Sequence, residues 1–148
     1  MEICTIGTSG ITAERFFRAL SDAQVSLLID TRLHPNSQLA GYAKQDSLVY
    51  FLDKILGIGY KHESMLAPAE EKLKDYRAKN ISWDTYEEGY LAKLKQSNLK
   101  TKLDISDWGS NPVLLCSETT PEFCHRRLAA EYLKELFPAV KSINHLGN

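Results

Sequence analysis

Val113-Leu114-Leu115-Cys116-Ser117-Glu118-Thr119-Thr120-Pro121-Glu122-Phe123-Cys124-His125-Arg126-Arg127 reads as a buried strand, a short polar loop and the start of a helix. Val113 to Cys116 is a continuous apolar run, as a strand covered on both faces requires. Pro121 suits a first helical turn, where its missing N–H costs nothing, so a helix is expected over Pro121 to Leu136. Strand, polar loop and helix in succession form the repeating unit of an α/β fold. In such folds ligands bind beyond the carboxyl ends of the strands, which is where this loop lies.

The same alternation runs outward in both directions. Glu2 to Ile6 is β-prone and ends in Gly7-Thr8-Ser9-Gly10, and a helix over Thr12 to Ala23 follows, capped by Thr12 with Phe16, Phe17 and Leu20 on one side. Val25 to Ile29 is a second strand, ending in Asp30-Thr31-Arg32. After a loop through Pro35, Asn36 and Ser37, Asp46 to Leu56 has helical spacing and Gly57 stops it. Ile58 to His62 is a third strand, and Ala67 to Lys79 and Ser82 to Gln96 are helices. Leu99 to Trp108 is either a helix end or a loop, and Ala139 to His145 is the last strand. The expected architecture is α/β, a mostly parallel central sheet of about five strands with helices on both faces.

At 148 residues the chain fits one domain spanning 1–148, with 43% apolar residues as in ordinary globular proteins. The formal charge of −1 excludes a general basic field for nucleic acid or membrane. No apolar run approaches a membrane span, and the N-terminus reads directly into a strand rather than a signal peptide. Three cysteines without a regular framework point to free thiols in a reducing cytoplasm.

Parallel strands would gather their polar ends on one edge: Thr8, Ser9 and Gly10; Asp30, Arg32 and Ser37; His62 or Lys61; Cys116 and Glu118; Asn144 and His145. Cys116, at a strand end before a helix N-terminus, is placed like the thiol of a cysteine phosphatase or a sulfur carrier. The phosphatase pattern needs an arginine where this chain has Glu122, whose carboxylate would repel a phosphate, so that reading falls. Cys116 as sulfur nucleophile and Cys116 as a small buried residue both stand. Cys124 and His125 fall on or near the core stripe of their helix, which favours packing. Arg126 is the better anion ligand of the arginine pair, because Arg127 can reach Glu131 at i, i+4.

Asp30 and Arg32 read either as an ion pair holding the loop or as an anion clamp with its orienter or base. Gly7 to Gly10 resembles a phosphate-cradling turn. Thiols and imidazoles show neither Cys-x-x-Cys nor His-x-x-x-His spacing, so no metal is assigned.

Thr5-Ile6-Gly7-Thr8-Ser9, Leu28 to Ser37, Gly57-Ile58-Gly59-Tyr60, Leu114 to Glu118 with Pro121, Cys124, His125 and Arg126, and Asn144-His145-Leu146 together resemble the domain of unknown function 488 family. The resemblance implies a compact α/β domain and brings no reaction with it. It also implies a histidine at the position of Thr8, which cannot serve as base or ligand in the same way.

The expected function is binding, with processing by a hydrolase or transferase, of a phosphate-bearing, nucleotide-like small molecule at the strand ends. Catalytic candidates are Cys116, Glu118 and Asp30; ligand-binding candidates are Thr8, Ser9, Gly10, Arg32, Ser37, His125, Arg126 and His145. Its cofactor is left open. The alternatives are a nucleic-acid-binding or processing domain, which the charge disfavours, and a non-catalytic sensor or interaction module, which Thr8 favours.

Overall fold

A computed structural model describes residues 1–147. Five strands form one sheet in the order β3-β2-β4-β1-β5, all pairs parallel: β1 Glu2–Gly7, β2 Leu27–Asp30, β3 Gly59–His62, β4 Pro112–Cys116 and β5 Ser142–His145. The expected α/β architecture is therefore the observed one. β4 lies at the centre and is buried throughout, which accounts for its unbroken apolar run. Pro112 opens it, where the missing N–H removes no interior ladder bond.

Side chains of successive strand residues alternate between two cores. Cys4, Ile6, Leu28, Val113 and Leu115 face one side with Phe16, Phe17 and Leu20 of α1 (Ala13–Asp22) and Leu48 of α2 (Gln45–Phe51). Ile3, Ile29 and Leu114 face the other with Tyr90 and Leu94 of α4 (Trp83–Gln96) and Leu128, Ala129 and Leu133 of α6 (His125–Leu136). The short helices α3 (Glu70–Arg77) and α5 (Leu99–Lys102) fill the long connection from β3 to β4.

Local chemistry sets the helix ends. Thr12 accepts from Arg15 N–H and Ser82 from Thr85 N–H, side-chain caps each worth about 1 kcal/mol. α2 runs on through a π-helical turn, Leu52–Leu56, until Gly57 takes a left-handed conformation at φ 66°.

The segment Leu99 to Trp108 is one helical turn followed by a loop that carries Trp108, fully buried, into the core. One expectation needs correction. α6 begins at His125, not near Pro121, because the Cys124 sulfur accepts from Arg126 N–H and acts as its cap. Residues 121–124 belong to the loop, so Cys124 faces the strand ends instead of packing on the core stripe of the helix. No helix among the described residues is long and apolar enough to cross a membrane.

Candidate functional site

The loops after β1, β2 and β4 converge because these strands are parallel and in register, with Gly7 opposite Cys116 and Asp30 opposite Leu115. Backbone pairing continues past the strands: Thr8 N–H donates to the Cys116 carbonyl, Ser9 N–H to Ser117, and Thr31 N–H to Leu115. The loop after β4 then crosses directly over Gly7. A Cβ there would overlap the Glu118 carbonyl oxygen and stand 2.8 Å from Arg126 Nη1, so glycine is what lets the loop close.

Asp30 sits at the end of β2 with both oxygens occupied. Arg32 N and Nε donate to Oδ1 at 3.0 and 2.9 Å; Arg32 Nη2 and the Tyr60 hydroxyl donate to Oδ2 at 2.7 and 2.6 Å. Burial, helped by the bond to Asp30, pushes the Tyr60 pKa up and keeps it a donor. His62 Nε2–H donates to the Arg32 carbonyl at 2.8 Å, so the residue is pinned at both backbone and side chain. Asp30 and Arg32 are both buried, and Arg32 Nη1 has no partner among the described residues. A buried unpaired donor is costly unless something outside the chain meets it.

Arg126 is fully buried beneath the β4 loop. Its Nη1 donates to the Glu118 carbonyl at 2.8 Å and to Cys116 Sγ at 3.0 Å, while Nε is unpartnered. Burial lowers its pKa to about 10, with Glu118 opposing the shift, so it is a cation at neutral pH. No carboxylate within ion-pairing distance balances it among the described residues. Glu118 itself is half-exposed and faces Arg77 of α3 at 3.7 Å.

His125 is held by Thr31. The Thr31 hydroxyl proton goes to the Leu115 carbonyl at 2.7 Å, so its oxygen and its own backbone carbonyl, both 3.0 Å from Nε2, are left as acceptors. Nε2 therefore carries the proton and Nδ1 the lone pair. Burial drives the His125 pKa down to about 4, the Thr31 bond opposing, so the ring is neutral.

Cys116 and Cys124 are joined as a disulfide, with Cα atoms 7.6 Å apart. Glu118 N–H points at Cys116 Sγ at 3.3 Å. The expectation of three independent thiols therefore fails for this pair, because the loop folds back on its own strand. Cys4 alone stays free, buried in the sheet with its pKa raised to about 11 by that burial. Nor did spacing reveal that both sulfurs and an imidazole nitrogen of His125 lie within 4.8 Å of one another.

A pocket of about 100 Å³ opens above these groups, lined by Arg32, Ser37, Arg77, Glu118, Cys124 and His125 among others. A broader groove of about 650 Å³ continues from it past Thr8, Ser9 and Gly10, sharing Ser37, Arg77 and Glu118. Nine of the expected residues thus line one continuous cleft or, like Asp30 and Cys116, support it from directly beneath, and Arg126 underlies the same loop. His145 stands apart: its Nδ1 bonds Thr5 Oγ1 at 2.6 Å on the β5 side, and it lines neither hollow. Lys61 turns away to Asp107. Tyr60, Thr31 and Arg77 were missed. Tyr60 and Thr31 carry no local signal, since their partners come from other strands, and Arg77 arrives from a helix whose placement the sequence leaves open. A separate groove of about 880 Å³ between α1 and α2 is lined by Phe17, Tyr42, Phe51 and Ile55. It is larger but holds no buried charge, so the strand-end cleft is the chemically richer site.

The family model described as "Domain of unknown function DUF488" matches residues 12–133. The chain belongs to the DUF488 family. The DUF488 match takes in Asp30 to Ser37, Gly57 to Tyr60 and the whole Cys116 to Arg126 loop. It stops short of Thr5 to Ser9 and Asn144 to Leu146. No curated protein and no solved structure gives a significant match.

Proposed function

We propose that the strand-end cleft binds a phosphate-bearing, nucleotide-like small molecule, with an oxyanion in the small pocket and the remainder in the groove beside Thr8 to Gly10. The observation that carries this reading is the pair of buried guanidiniums with unpartnered nitrogens, Arg32 Nη1 and Arg126 Nε. A buried cation without full compensation calls for an anion. The pocket's size agrees: about 100 Å³ accommodates roughly three waters' volume, enough for a tetrahedral oxyanion but not for a nucleoside, which needs the groove.

In this assignment Arg32 holds the anion through Nη1 while Asp30 orients it, both carboxylate oxygens being already engaged. Arg77 offsets the Glu118 carboxylate, which would otherwise repel the ligand. Glu118, half-exposed at the rim, is the group free for acid–base work in a hydrolase or transferase step. Ser37 and the Ser9 hydroxyl supply neutral donors along the groove.

Titration of inorganic phosphate and of nucleoside mono- and diphosphates, followed by melting temperature, tests the assignment. Arg32→Lys keeps a cation on Asp30 but removes the third nitrogen. Binding should weaken at least tenfold in the variant, with the unliganded melting temperature little changed. An equal response in both proteins, or none to millimolar phosphate compounds, sinks the proposal. A response only to oligonucleotides, falling steeply with salt, would replace it with nucleic-acid binding.

A further inference from the structure

We propose that Cys116 Sγ, Cys124 Sγ and His125 Nδ1 form a three-donor site for a zinc-class divalent metal, with the fourth position open to the small pocket. This site adjoins the anion cleft but does not depend on that assignment. The two sulfurs and one imidazole nitrogen of His125, all buried, lie within 4.8 Å of one another. With bonds of about 2.0–2.3 Å, tetrahedral sulfur and nitrogen ligands stand roughly 3.3–3.8 Å apart, so once the disulfide is reduced small side-chain shifts complete the geometry.

Three further observations point to ligation rather than packing. The first is the Cα separation of Cys116 and Cys124, 7.6 Å. It is longer than the roughly 4.4–6.8 Å usual for disulfides, and in the reduced pair an interposed ion lengthens the bridge by a bond. The second is the histidine tautomer. Nε2–H is committed to Thr31, which leaves the Nδ1 lone pair for a ligand, and a carbonyl that accepts from the far ring nitrogen is the usual support of a metal-bound imidazole. The third is that each sulfur already accepts a backbone N–H, from Glu118 and from Arg126, at 3.3 and 3.4 Å. Such bonds stabilise thiolates, the form that ligates.

Two thiolates and an imidazole make a soft-to-borderline donor set that suits zinc and tetrahedral cobalt(II) and disfavours magnesium or calcium. Binding displaces two thiol protons to solvent. Two thiolates then cancel the dication, and Arg126, 3.0 Å from Cys116 Sγ, leaves the cluster net positive. Cys124, His125 and Glu118 line the pocket, so the vacant tetrahedral position opens toward it and favours water or an anion there. Three protein ligands with one open position is the arrangement of catalytic rather than structural zinc.

The test is titration of the reduced full chain with cobalt(II) and then zinc, read by absorption and by metal content after desalting. One ion per chain is expected, with the visible bands of tetrahedral cobalt and a thiolate charge-transfer band that zinc abolishes. Cys124→Ser and His125→Gln should each weaken uptake at least tenfold, while Cys4→Ser should leave it unchanged; circular dichroism confirms that each variant is folded. Because a ligand variant could lose structure, protection of the native thiols gives a second readout: zinc should slow their modification and their closure in air at least tenfold. No uptake by the reduced native chain, an octahedral cobalt spectrum without charge transfer, or thiols that oxidise equally fast with zinc present would each overturn the site and leave a simple redox pair.

Discussion

The two rims of the sheet solve the same problem in opposite ways. At the amino ends of the strands, neutral bonds do most of the closing: Glu2 N–H to the Ser110 carbonyl, Ser26 N–H to Asn111, Lys141 N–H to Met1, and the Ser26 hydroxyl to Trp108, while the charged groups there, the Met1 ammonium on the Ala139 carbonyl and the Glu2 carboxylate on the Ser142 hydroxyl, are exposed or only partly buried. Among the described residues the orphan there is one neutral indole N–H, of Trp108. At the carboxyl ends the chain buries Asp30, Arg32, His125 and Arg126 and leaves two guanidinium nitrogens unmet. Buried charge adds little net stability. A rim that needed only to close could copy its neutral counterpart, so the charged one is built for something other than closure. The strained accounting falls where parallel sheets hold their ligands.

The largest effect should come from splitting the buried ion pair. Asp30→Asn removes the negative charge under Arg32 and should cost about 3–5 kcal/mol in urea unfolding. The double variant Asp30→Asn with Arg32→Met should recover part of that loss, since it no longer strands a cation. If Asp30→Asn costs under about 1 kcal/mol, the charged rim is not the tightly coupled unit described here.

Next is the crossing over Gly7. Gly7→Ala drives a Cβ into the Glu118 carbonyl and against Arg126, and should cost about 3 kcal/mol, whereas Gly41→Ala, with open space around it, should stay within about 0.5 kcal/mol. The contrast is sharpened if adding phosphate raises the stability of the native protein but not that of Gly7→Ala.

Much of this rim was legible because its residues follow strands. The apolar runs of Val25 to Ile29 and Val113 to Cys116 and the β-prone Glu2 to Ile6 stand out, and parallel order turns strand ends into a shared edge. What stayed hidden depends on strand order and loop path. His145 follows a strand too, yet β5 lies outside β1, away from the cleft between β1, β4 and β2, and it bonds Thr5 instead. Tyr60 reaches Asp30 only because β3 is the neighbour of β2. Cys116 and Cys124, eight residues apart, meet because α6 starts late and the intervening loop doubles back over Gly7; helical continuation from Pro121 would have separated them. Local pattern carries no record of such a reversal.

A smaller effect than that of Asp30→Asn or Gly7→Ala lies on the neutral rim. The Ser26 hydroxyl donates to the Trp108 carbonyl at 2.7 Å and accepts from Asn111 N–H at 3.0 Å, tying the start of β2 to the start of β4. Ser26→Ala strands one donor and one acceptor, but both are only partly buried, and water can replace the lost partner. A cost of about 1 kcal/mol is expected, with phosphate and metal binding unchanged. Chemical denaturation alongside the two binding titrations measures all three. A ligand affinity that falls with Ser26→Ala would mean the rims are coupled through β2 and β4, and the division of labour between them would fail.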